Sequence, residues 1–182
     1  MAAPAIRLSK KPDGSAVLSC TRVDGSTTWQ RHRRHAAFFP LHDLAHVAVE
    51  TRLGLQSGLF GLLARGGAIT DVGSRPIPAD AAYEAALAES VVGLLDGERA
   101  GERPHSLSEF NQALDISLRH AGQTLARPLS GEDPDAIRSA WQRPVERRGQ
   151  LPIGGTLDLL SDPSPRLRPT HEDRGRHRLA SR

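Results

Sequence analysis

Apolar and polar residues alternate along the first fifth of the chain, and then the period changes. In "AIRLSK" (5–10) and "SAVLSCTRV" (15–23) the alternation is by twos. Val17, Ser19 and Thr21 fall on one face, and Leu18, Cys20 and Arg22 on the other. "KPDG" places proline and glycine where a tight turn uses them, and "DGS" at 24–26 marks a second hairpin. "TTWQRH" at 27–32 is rich in strand formers. The pattern predicts a three-stranded antiparallel meander.

A helical period follows. It predicts a helix from Pro40 to about Arg52 and a short apolar one within 57–67. After a loop at 69–78, "ADAAYEAALAESVVGLL" gives a strong helix over about 79–96. Ser106 with Glu109 three residues later is a capping-box signature, and Leu107, Phe110, Leu114, Leu118, Ala121 and Leu125 recur at helical spacing. Asp133 and Pro134 open a further helix, which Pro144 is expected to end or kink. "LPIGGTLDLL" at 151–160 reads as a strand returning to the sheet. The expected fold is α+β: one domain over 1–162, with a small antiparallel sheet of the meander plus the C-terminal strand, packed against four or five helices. Residues 163–182, with three prolines, six arginines and no apolar period, are expected to be a disordered basic tail.

Composition narrows the function classes. The 182 residues are 38% hydrophobic and 25% charged, within the range of globular domains. No apolar run approaches the roughly 20 residues of a membrane span, and the N-terminus lacks a signal-peptide core, so the expected address is the cytoplasm. Cys20, the only cysteine, can form no internal disulfide. The pI of about 9.7 suggests nucleic acid until its source is traced. The tail carries six arginines against Glu172 and Asp173, a net of +4, whereas the whole chain is +3. Residues 1–162 are therefore close to neutral, and nucleic acid or another acidic partner is expected only through the tail. That is the basis of an alternative reading, a non-catalytic interaction module.

The candidate chemistry lies in "FPLHDLAHVAVE" (39–50). At about 100° per residue, Leu41, Leu44, Ala45, Ala48, Val49 and Leu53 form a broad apolar arc, with His42 and His46 on its flank. Imidazoles four apart on a helix stack on one face and can share a cation. Imidazole with carboxylate suits a divalent metal: zinc first, then iron, nickel or manganese. Asp43 and Glu50 are expected just outside the arc, with Glu50 as a third ligand at long reach or as a hydrogen-bond partner of His46. A further ligand is expected from another segment, where Glu84 and Glu89 stand among small residues. Glu89 lies on the face suited to pack against the histidine helix.

"HDLAH" resembles the HExxH of zinc metallopeptidases, with Asp43 in place of glutamate. The resemblance covers five residues. It implies zinc on His42 and His46 and a catalytic general-base role for Asp43, one methylene shorter than the family's glutamate. A broader resemblance is to a family of small uncharacterised bacterial proteins that carry "DGSTTWQR", "FFPLHDLxHxAVE", "GLFGL" and "VGLxDxERA". These stand here at 24–31, 38–50, 58–62 and 91–100. The likeness spans most of 15–115. It implies a shared fold with a site on the histidine helix, favours Glu89 over Glu84, and names no reaction. The expected partner is therefore a small-molecule substrate of unspecified kind. Elsewhere, "WQRHRRH" (29–35) reads as a solvated strand end and loop, with nothing in the pattern to fix His32 or His35 at the metal, while His105 and His120 are expected to be exposed.

Overall fold

The computed structural model describes residues 4–33, 36, 38–71 and 76–159. The expected tail over 163–182 and His35 lie outside them. The expected α+β architecture is present. Strands β1 (Ala5–Lys10), β2 (Ala16–Thr21) and β3 (Thr27–His32) form the meander, and β4 (Thr156–Asp158) returns to pair with β1. The sheet order is β3-β2-β1-β4, antiparallel throughout, with Leu8 opposite both Leu18 and Leu157. Both turns need a left-handed residue, and Gly14 and Gly25 supply it at φ 79° and 83°.

Five α-helices follow: α1 (Phe39–Leu53), α2 (Leu59–Ala64), α3 (Ala82–Arg99), α4 (Leu107–His120) and α5 (Asp133–Gly149). One 3-10 turn occupies Ile69–Asp71, inside the expected loop. The capping box on α4 is formed: Ser106 Oγ accepts from the Glu109 N–H, and the Glu109 carboxylate accepts from the Ser106 N–H at 2.9 Å. The periodic run at Ala121 and Leu125 does not continue α4, because Gly122 turns the chain at φ 71°. Pro144 does not end α5, which runs on to Gly149. Contacts with the rest of the fold hold both of its halves: Trp141 Nε1–H donates to Leu41 O at 3.1 Å, and the Arg148 guanidinium donates to Ala36 O at 2.7 Å.

Helix α1 lies between two cores. Leu44 joins the sheet residues Ile6, Leu8, Leu18 and Cys20 and the α2 residues Phe60 and Leu63. Ala45 and Val49 join Val91, Val92 and Leu95 of α3 and Phe110, Leu114 and Leu118 of α4. A helix covered on both sides buries polar as well as apolar positions. Asp43 and Glu50, expected at the solvent margin, are accordingly buried.

Candidate metal centre

His42 and His46 project from α1 toward α3, and their ring planes meet edge to face. His46 is 1% exposed and His42 27%. Their Nε2 atoms are 3.3 Å apart. Glu89, half-exposed on α3, brings Oε1 within 3.4 Å of His46 Nε2. Ligand atoms of these three residues lie within 4.8 Å of one another, a group able to hold a metal ion.

The outer nitrogens are oriented by carboxylates. His42 Nδ1 is 2.8 Å from Asp96 Oδ2, also on α3. Asp96 Oδ1 in turn accepts from Arg99 at 3.2 Å, and the Arg99 guanidinium lies 4.5 Å over the Phe38 ring. His46 Nδ1 faces Glu50 Oε1 at 3.4 Å, a looser, mainly electrostatic contact. Glu50 is itself pinned at the start of α2, where the Phe60 and Gly61 N–H groups donate to Oε2 at 3.0 and 3.3 Å. Gly58 makes room for this approach, since a Cβ there would collide with the Glu50 carboxylate. The "GLFGL" stretch thus serves to hold Glu50 behind His46.

These partners decide the tautomers. A carboxylate at Nδ1 places the ring proton there and leaves a lone pair on Nε2. Two Nε2 lone pairs facing each other at 3.3 Å repel unless they share a cation. Burial opposes charging of His46, but Glu50, Glu89 and Asp43 outweigh it, and the pKa is raised above the ordinary histidine value.

The other sequence candidates divide. Glu50 stands at the outer nitrogen of His46, outside the group of His42, His46 and Glu89. Glu84 accepts from the Gln56 N–H at 2.7 Å, away from the histidines. Asp43 turns to β3, where Oδ2 lies 3.3 Å from His32 Nε2, both residues buried. His32 also stacks on Phe39 at 5.1 Å. It is therefore a buried residue and not part of a solvated strand end. His105, expected to be exposed, is half-buried beside Glu98, which Arg138 holds in a two-point contact at 2.9 and 2.6 Å.

Asp96 was not a sequence candidate. Its signal was the spacing to Glu89: seven residues, two helical turns, on one face of α3 opposite two histidines one turn apart. Among the described residues, no helix is long and apolar enough to cross a membrane. Comparison with known proteins finds no matching family model, no matching curated protein and no matching solved structure.

Proposed function

We propose that this protein binds a divalent metal through His42 Nε2, His46 Nε2 and the Glu89 carboxylate, and uses it in hydrolytic or oxidative chemistry. One observation carries the reading. Two nitrogens bound to a tetrahedral ion at about 2.05 Å stand roughly 3.3 Å apart, and the two Nε2 atoms are 3.3 Å apart, with each outer nitrogen facing a carboxylate. The match to tetrahedral spacing, and the all-imidazole-and-carboxylate donor set, favour zinc. Iron, nickel and manganese accept the same donors.

Three protein ligands leave a coordination position for water or substrate, and the half-exposed Glu89 puts that position at the surface side of the site. A bound ion there would supply an activated water or a polarised substrate oxygen. Asp96 and Glu50 orient the imidazoles. Asp43 would serve the chemistry indirectly: its charge acts on His46 and its carboxylate faces His32, so it would favour positive charge on the histidine side of the site.

The test is equilibrium dialysis of the untagged chain against zinc, then elemental analysis by plasma mass spectrometry. We expect close to one zinc per chain, and none above background in the His42→Ala/His46→Ala variant, with far-ultraviolet circular dichroism unchanged. Full zinc content in the double variant would refute the assignment.

A further inference from the structure

A cavity of about 380 Å³ opens between α3 and the end of α4, and Glu89 forms part of its wall. We infer that this cavity is the substrate pocket of the metal site, and that it takes an uncharged small molecule with an apolar body and a hydrogen-bond donor. The inference rests on the metal reading above and adds the substrate class.

The cavity exists because of side-chain size. Ala82, Ala85 and Ala86 lie on one face of α3, one to two turns before Glu89, and Ala121 closes α4 opposite them. The α4 side chains Phe110, Leu114 and Leu118 are spent in the core with Val91, Val92 and Leu95. Where α4 ends, Gly122 turns the chain, and Ile77 and Gln123 complete the wall. The volume falls at the lower end of the range for small-molecule pockets.

Charge sets the class of ligand. Glu89 is the only charged residue lining the cavity among the described residues. The same carboxylate stands 3.4 Å from His46 Nε2, so the cavity and the metal group share Glu89 as a common wall. With its charge taken up by the metal, Glu89 leaves no free charge in the wall, and a charged body would lose its hydration there without a partner. Hydrogen bonding sets the donor. Ser90 Oγ–H donates to Ala86 O at 2.7 Å, so in the 2.8 Å contact between Ser90 and Ser117 the Ser117 hydroxyl is the donor. Its remaining capacity is to accept. An amide or alcohol on the ligand meets that need.

The test uses the cobalt-loaded full chain, whose visible spectrum reports ligation at the metal. The probes are straight-chain alkyl hydroxamic acids from acetohydroxamic to hexanohydroxamic acid, with two analogues of the longest whose far end carries an ammonium or a carboxylate. The hydroxamate holds the metal and the chain samples the cavity. We expect affinity to rise about fourfold per methylene, with the ammonium and the carboxylate analogue each at least tenfold weaker than the uncharged parent. Ala86→Phe should abolish the dependence on chain length while leaving cobalt uptake and acetohydroxamate binding intact. Cobalt uptake with no dependence on chain length in the unmodified chain would overturn the pocket alone, and a charged analogue binding as tightly as its uncharged parent would overturn the charge argument. Failure to take up cobalt would overturn the metal reading and the pocket with it.

Discussion

Gly58→Ala is a change of one methyl group at a position that touches no proposed ligand. The backbone there has φ −71°, which alanine adopts freely, so the whole effect is steric. The new Cβ would stand 2.7 Å from Glu50 Cγ and 2.7 Å from Oε1. Ordinary contact between carbons begins near 3.5 Å, so Glu50 must retreat by roughly 1 Å. It cannot do so freely, because it is 6% exposed and held by the Phe60 N–H at 3.0 Å. Crowding a packed site costs about 1–3 kcal/mol, and stretching a charged hydrogen bond out of range costs about 1.5–3 kcal/mol. Partial relaxation makes the two overlap, and we expect a net loss of about 3 kcal/mol. For a chain of this size that lowers the melting temperature by about 6–12 °C. Displacing the carboxylate behind His46 should also weaken zinc binding by about tenfold to 100-fold. Thermal unfolding and competitive zinc titration read both effects. In a Glu50→Ala background the same substitution should cost less than about 0.5 kcal/mol, because its collision partner is gone. Equal losses in both backgrounds would show that Gly58 does not act through Glu50.

Asp96→Ala should leave the fold intact but lower zinc affinity by about tenfold to 100-fold, with Asp96→Asn recovering part of it, as measured by competitive titration. Folded His46 holds its proton more tightly than the unfolded chain. Its contribution to apo stability is therefore fully present below the ordinary value of 6.5 and is lost as pH rises through the raised one. Thermal melts in chelator should show that loss, and zinc saturation or His46→Gln should remove the slope. Burial opposes the charge of Glu98, but the hydrogen bonds from Arg138 and the His105 N–H outweigh it and lower its pKa. That contribution is present above 4.5 and is lost as pH falls through the lowered value. Arg138→Ala should therefore narrow the difference in melting temperature between neutral and acid pH.

The elements set by local chemistry were legible in the sequence. Asp13-Gly14 and Asp24-Gly25 mark the two hairpins, and Ser106 with Glu109 marks the start of α4, because each rests on contacts within a few residues. The features set by packing were not. Pro144 signals a helix end, yet α5 continues because Trp141 and Arg148 are anchored on the segment around α1. Asp43 and Glu50 pointed to solvent on a one-sided helical wheel, whereas α1 has cores on two sides. Within the site, the spacing of His42 and His46 carried the pair, and the face of α3 carried Glu89. Glu50 was readable only as one of two roles, and the pinning N–H groups of α2 favour the partner of His46. Asp96 stands in the "VGLxDxERA" stretch two turns from Glu89, but its meeting with His42 depended on the register of α3 against α1.

The central claim is that His42 and His46 offer their Nε2 atoms to one metal while Asp96 and Glu50 keep the Nδ1 positions protonated. Long-range nitrogen–proton NMR of the imidazole rings, before and after one equivalent of zinc, tests it directly. The account predicts that two histidines change, that substitution assigns them to His42 and His46, and that both show metal at Nε2 with protonated Nδ1. Ligation through Nδ1, a change confined to His32 or His105, or no change at any histidine would contradict it.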